Sequence, residues 1–147
     1  MIPLESVRAR LALLWFAGSG VLFLLLVGQT LGGIFQDRID KAWGWAIPNI
    51  APTLSLMVSV FAADALSAGE DKFNVSKVFS TLSFGLSAFY LLNLIIVVIA
   101  APYSVGEEAA IGSHPVDVMQ ISNFWLGPLQ GLAAGAIGAL FFTKTKA

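Results

Sequence analysis

The chain contains no cysteine and a single histidine, His114, among its 147 residues. Without cysteine the protein can form no disulfide, no thiolate metal ligand and no cysteine nucleophile. A lone histidine excludes bis-histidine haem ligation and a multi-histidine metal site within one chain. We therefore expect no cofactor and no bound metal.

Charge is also scarce. Only 12% of the residues are charged, whereas a soluble domain carries about 25%. Hydrophobic residues make up 57% of the chain, and its mean hydropathy is +0.83. The net charge of -1 gives no general attraction for nucleic acid. Lipid is therefore the expected solvent for most of the chain, and the bilayer its first partner.

The sequence also lacks the patterns that typify membrane enzymes and transporters. It has no P-loop, no Ser/His/Asp set and no carboxylate paired with a base near the middle of an apolar run. Secondary transporters usually carry inverted repeats and charged residues at the midplane, and neither is evident. We therefore expect that the protein is not an enzyme.

What the chain does contain is four apolar runs, at about 11–34, 45–66, 79–101 and 121–142. Each is close to the ~20 apolar residues that cross a hydrocarbon core. Isolated strands cannot span lipid, so the runs are predicted to be helices. The first is too long for a signal-peptide core and no A-x-A cleavage site follows it. The sequence therefore predicts an all-α integral membrane protein, a single bundle of four transmembrane helices.

The basic residues indicate the orientation of this bundle. Six lie in the segments that share a side with the termini, and only two, Arg38 and Lys41, lie on the other side. The positive-inside rule then places both termini in the cytoplasm. The expected location is the inner (plasma) membrane of a bacterium.

The second run contains Pro48 and Pro52, which are unusual in a spanning helix. Proline is tolerated in the first turn, where N–H groups have no intrahelical partner. The two prolines therefore predict a helix start near residue 45. Pro52 also removes the donor that would bond to the carbonyl of Pro48, which predicts a mild bend.

A polar face follows these prolines. At 100° per residue, Asn49, Thr53, Val60 and Asp64 fall within roughly a 60° arc of the helix. One interpretation is that Asn49 caps the helix and Asp64 reaches interfacial water. The alternative is that the face lines a water-filled path.

A carboxamide lies toward the middle or the outer side of each run, namely Gln29, Asn49, Asn93 and Gln130. A bare amide in hydrocarbon costs several kcal/mol, so these groups should face protein or water. The simplest arrangement is an interhelical hydrogen-bond cluster that holds the bundle together. A polar constriction in a permeation path remains the alternative. In the third run, Ser80, Ser83, Ser87 and Tyr90 form a further stripe that favours a helix interface.

The fourth run has the most specific packing pattern. Small residues recur every four positions, at Gly127, Gly131, Gly135 and Ala139. This pattern lets another helix approach closely, and a close contact would offset the helix propensity that glycine lacks. It predicts a tight helix contact without indicating whether the partner belongs to the same chain.

The loop before the fourth run is acidic, with Glu107, Glu108 and Asp117 and no basic residue. It is either a solvated turn or a vestibule that attracts cations when several copies form a ring. His114 also lies in this loop, but an isolated loop histidine usually has no functional role.

Two functions remain open. The first is a small oligomeric channel or pore-forming protein that prefers cations, because four helices of this length enclose no useful conduit alone. The alternative is a non-catalytic membrane subunit or scaffold that packs against other membrane proteins. The expected partners are accordingly further copies of this chain or other membrane-protein subunits.

Overall fold

The computed structural model describes residues 1–66, 74–105 and 114–141. It contains four long helices: α1 (Leu4–Leu31), α2 (Ile39–Leu66), α3 (Lys77–Ala100) and α4 (Pro115–Phe141). Each is long and apolar enough to cross a membrane. The predicted helical class and the four apolar helices are therefore confirmed for the described part of the chain.

Three helices begin earlier than the apolar runs suggest. The first starts at Leu4 rather than near 11, the second at Ile39 rather than near 45, and the fourth at Pro115 rather than near 121. The length of an apolar run reflects the thickness of the bilayer. A helix can extend beyond that run where its inner face still packs against the bundle. Leu4 and Val7 extend the buried face of α1 in this way.

The prediction that Pro48 and Pro52 mark a helix start is wrong, because both lie inside α2. The helix begins nine residues before Pro48, since α2 runs from Ile39. Its early turns bury Ala42, Trp45 and Ala46 against the bundle. This packing stabilises helix upstream of the prolines, where sequence alone favours a break.

The helices follow the circular order α1, α3, α4, α2 around the bundle. The most extensive packing joins α3 to α1 and to α4, while α2 contacts α4 and α1 more sparsely. Gly18 of α1 lies so close to α3 that a Cβ added there would meet Leu91 Cδ1 at 3.0 Å. Because α2 packs less extensively on its neighbours than α3 does, part of the space between α2 and α4 remains open.

The bundle has two ends. At the Arg8 end, α1 and α3 begin and α2 and α4 finish; the strands β1 (Ile2–Pro3) and β2 (Asn74–Val75) pair there in antiparallel register. At the Asp117 end, α1 finishes and α4 begins. The chain turns between α1 and α2 through Gly33, whose φ of 71° favours glycine, and a 3-10 turn at Gln36–Arg38.

Large side chains fill the interior. Trp15, Tyr90 and Phe35 are completely buried, and the rings of Trp15 and Tyr90 pack with centroids 5.8 Å apart. Many outward-facing residues are large and apolar instead, among them Leu13, Leu24 and Phe89. A helix bundle with an apolar core and an apolar exterior suits a lipid surrounding.

Candidate functional site: the buried polar network and the α2–α4 groove

The polar face of α2 points into the bundle. Asn49 is 6% exposed and Thr53 is 4% exposed. The Tyr90 hydroxyl lies 2.9 Å from Asn49 Oδ1 and 3.0 Å from the Asn49 backbone oxygen, and it donates to this pair of acceptors. Asn49 Nδ2 donates to the carbonyl oxygen of Trp45 at 2.7 Å. Asn49 therefore links α2 to α3 across the core, and Tyr90 occupies the space beside it.

Asp64 is separated from this network. Its side chain is 56% exposed at the Arg8 end, and its Oδ2 lies 2.9 Å from Arg8 Nη1. The residue thus pairs with a cation at the end of the helix, while Met57, one turn after Thr53, is completely buried. Asn49, Thr53 and Asp64 lie on the same side of α2, but the first two are buried in the bundle and Asp64 is exposed at its end.

Arg8 connects three helices at this end. Besides Asp64 of α2, its Nε and Nη2 donate to the last carbonyls of α4, those of Leu140 at 3.2 Å and Phe141 at 3.0 Å. Its guanidinium carbon also lies 5.6 Å from the centroid of the Phe141 ring. A cation at a helix C-terminus interacts favourably with unpaired carbonyls and with the helix dipole.

The four carboxamides do not form the predicted cluster. Gln29 Nε2 donates to the Val98 carbonyl at 2.8 Å, which joins α1 to α3 near the Asp117 end. Asn93 Nδ2 donates to Phe89 within its own helix at 2.8 Å. Asn93 is therefore satisfied locally, because an Asn side chain can reach the carbonyl one turn before it. Each of the four side-chain amides donates a hydrogen bond to a backbone carbonyl rather than to another amide.

Gln130 has a contact that explains how α2 tolerates proline. Its Nε2 donates to the backbone oxygen of Pro48 at 3.1 Å. Pro52 has no N–H with which to satisfy that carbonyl four residues earlier. An amide from α4 thus replaces the missing intrahelical donor. The freed carbonyl was evident in the sequence, but its partner 82 residues away was not.

The glycines of the α4 stripe are not packed against any of the described residues. Gly127, Gly131 and Gly135 are exposed, and a Cβ added at any of them would meet no atom within 4 Å. Ala139 is exposed on the same helix. If the predicted tight contact exists, its partner therefore lies outside the described part of this chain.

The stripe borders an open groove between α2 and α4 of about 430 Å³. Its walls are mostly apolar, with two polar side chains. The lining residues are Pro52, Thr53, Leu56, Gly127, Gln130, Gly131 and Ala134. Thr53 is only 4% exposed as a whole residue, and its hydroxyl, which forms no hydrogen bond among the described residues, is accessible from the groove. The groove is thus lined by two glycines of α4, Gly127 and Gly131, and by the Thr53 hydroxyl of α2.

The Asp117 end only partly matches the predicted acidic vestibule. Asp117 Oδ1 accepts from Arg38 Nη1 at 2.8 Å, so its charge is paired. Glu107 and Glu108 lie outside the described residues. His114 is 9% exposed, and its Nδ1 accepts from the backbone N–H of Val116 at 3.2 Å. This histidine stabilises the start of α4, a role that its position before Pro115 could have suggested.

Removing either side chain of the Asn49–Tyr90 hydrogen bond should lower the stability of the protein, but by different amounts. Tyr90→Phe should lower the free energy of unfolding by about 1–3 kcal/mol, because Asn49 Oδ1 then stays buried and unpaired. Asn49→Leu should cost less, since the Tyr90 hydroxyl keeps the backbone oxygen as an acceptor. Unfolding measured in detergent or lipid checks this order, and Asn93→Leu serves as the control with little change. A larger loss for Asn49→Leu than for Tyr90→Phe would contradict the assigned geometry.

Comparison with protein-family models, with curated proteins and with solved structures finds no match for this chain. Among the described residues, no group of three His, Asp or Glu side chains could hold a metal ion. The class of protein is thus defined by the fold: a bundle of four apolar helices, each long enough to cross a membrane. Its most distinctive surface is the α2–α4 groove.

Proposed function

We propose that the chain is an integral protein of a bacterial inner membrane, with both termini in the cytoplasm. Four helices of sufficient length and an apolar exterior support insertion. The six-to-two distribution of basic residues supports the orientation, because cytoplasmic segments retain Lys and Arg. The Arg8 end then lies at the cytoplasmic face and the Asp117 end at the outer face.

This orientation predicts opposite labelling at the two ends. The chain has no cysteine, so single cysteines can be introduced at Asn74 in β2 and at Tyr103 after α3, both of which are exposed. A membrane-impermeant maleimide should label Tyr103→Cys in sealed cells and Asn74→Cys only after lysis. Labelling of both variants in sealed cells, with a cytoplasmic marker protein unlabelled, would contradict the topology.

Within the membrane, we propose that the protein is a non-catalytic subunit that assembles through the α2–α4 groove. The observation that carries this is the open glycine stripe: three glycines weaken α4, yet no neighbour within the described chain uses the space beside them. In lipid, helices associate through van der Waals packing and interhelical hydrogen bonds, and small residues permit both. A helix against the stripe would supply the packing and give Thr53 a partner.

The proposed occupant is α4 of a second copy of this chain. Copies inserted in one orientation are related by an axis along the membrane normal, which brings identical stripes face to face. A repeat of small residues every four positions is complementary to itself in such a parallel crossing. The mass of the particle purified in lipid nanodiscs tests this: a multimer is expected, and a monomer at all protein-to-lipid ratios would refute it.

A channel is the second candidate, and the polar lining of the same groove favours it. If several copies turned their grooves toward a central axis, Thr53 and Gln130 would face the conduit. Ion flux into proteoliposomes separates the two functions. A channel of this kind predicts flux that Gln130→Leu reduces and that Asp64→Asn leaves unchanged, because Asp64 is already paired with Arg8. If intact multimers give no more flux than empty liposomes, the channel function is rejected and the function as a non-catalytic subunit is retained.

A further inference from the structure

A second cavity opens at the Arg8 end, between the first turns of α1 and α3. It has a volume of about 250 Å³. Its lining is mixed: Arg10, Ser80 and Thr81 are polar, while Leu11 and Phe84 are among the apolar residues.

The two arginines of this helix have different surroundings. Arg8 is 11% exposed and has three polar partners. Arg10 is exposed, lines the cavity and has no partner among the described residues. The nearest acidic side chain in sequence, Glu5, projects roughly 140° away from Arg10 on the helix. The charge of Arg10 is therefore available to a ligand.

The other polar groups of the cavity are also suited to an anion. The hydroxyls of Ser80 and Thr81 make no side-chain hydrogen bond within the described residues, and both lie in the first turns of α3. The positive end of that helix dipole adds to the attraction. A guanidinium can donate two parallel hydrogen bonds to a phosphate. Arginine, hydroxyls and a helix start are all groups that can bind a phosphate.

The apolar part of the lining favours a lipid over a soluble phosphate. Phe84 lines the cavity and is 43% exposed. A phospholipid could place its phosphate at Arg10 and one acyl chain along Phe84. We propose that this cavity binds the headgroup of an anionic phospholipid at the cytoplasmic face. The proposal depends on the insertion and orientation proposed above, but not on assembly through the α2–α4 groove.

Native mass spectrometry of the purified protein with added phosphatidylglycerol or phosphatidylcholine tests this site. We expect the wild type to retain phosphatidylglycerol in preference to phosphatidylcholine. Arg10→Gln should weaken phosphatidylglycerol binding about tenfold, and Arg10→Lys should weaken it less, because one ammonium keeps the charge without the paired donors. Lys41→Gln, which removes an exposed charge at the other end, is the matched control and should bind like the wild type.

Three results would overturn the proposal. They are equal retention of the two lipids, equal losses in Arg10→Gln and Lys41→Gln, and displacement of phosphatidylglycerol by millimolar inorganic phosphate, which would indicate a soluble anion. The particle mass is measured on the same Arg10→Gln protein, and the labelling pattern on Arg10→Gln proteins that also carry Asn74→Cys or Tyr103→Cys. A wrong topology or a missing assembly is thereby distinguished from a missing lipid site.

Discussion

Gly131→Leu should convert the assembled protein into monomers without unfolding the chain. A Cβ added at residue 131 meets no atom within 4 Å among the described residues, so the bundle can accommodate a side chain there. Against a closely packed second helix, however, the same leucine would force the two backbones apart. Overpacking of this kind costs about 1–3 kcal/mol, and 1.4 kcal/mol already weakens association tenfold. We expect at least a tenfold shift toward monomer at a fixed protein-to-lipid ratio.

The matched control for this variant is Gly20→Leu. Gly20 is also exposed, lies in the middle of α1 and has no atom within 4 Å of an added Cβ. The two substitutions therefore change helix propensity and lipid-facing area similarly, and only Gly131 belongs to the stripe. Particle mass and thermal midpoint should be measured for both. Unchanged assembly in Gly131→Leu would show that the stripe faces lipid, and equal dissociation in both variants would remove its specific role.

Arg8→Gln should lower the stability of the folded chain itself. The substitution removes the pair with Asp64 and the two hydrogen bonds to the carbonyls of Leu140 and Phe141. Most of the loss should come from the carbonyls, because hydrogen bonds to charged groups contribute about 1.5–3 kcal/mol, whereas a pair with an exposed carboxylate contributes little. We expect a decrease of about 2 kcal/mol in the free energy of unfolding.

Two further variants test this assignment. Asp64→Asn should be nearly neutral, because it leaves the Arg8 bonds to α4 in place. Arg10→Gln removes the same charge two residues away and should also be nearly neutral, since Arg10 has no partner in the described part of the chain. Denaturation in one defined detergent compares the three. If Asp64→Asn costs as much as Arg8→Gln, the ion pair rather than the helix end is the source of the stability.

The polar residues illustrate how far sequence reasoning reached. Because unpaired amides are costly in hydrocarbon, the arc that Asn49 and Thr53 share with Asp64 was predicted to face protein or water. Asn49 and Thr53 are buried in the bundle, whereas Asp64 is 56% exposed. The same cost did not specify their partners. Asn93 bonds within its own turn, while Gln130 bonds to the Pro48 carbonyl on another helix. A bond within the same helix and a bond to another helix satisfy an amide equally well. Composition and spacing therefore could not predict which of the two each residue forms.

The glycines of α4 mark a second boundary of sequence reasoning. Their spacing indicates a surface for close approach, which is a property of one helix and can be derived from 3.6 residues per turn. Whether the approaching helix belongs to the same chain depends on how α1, α2 and α3 are arranged around α4. In this bundle α4 buries its opposite side, including Leu126, Ala133 and Ile137, and leaves the glycines outside.

The sequence by itself determined the class of this protein, because the length and apolarity of four runs depend only on local composition and on the thickness of a bilayer. It also indicated the polar positions that would be costly to expose to hydrocarbon. Only the tertiary structure decided the partners: Arg8 with the end of α4, Tyr90 with Asn49, and Gln130 with the carbonyl that Pro52 leaves unpaired. Each of these joins residues far apart in the chain, and their encounter depends on the order of the helices around the bundle. That order is set by side-chain packing between helices, which the periodicity of any single helix does not contain.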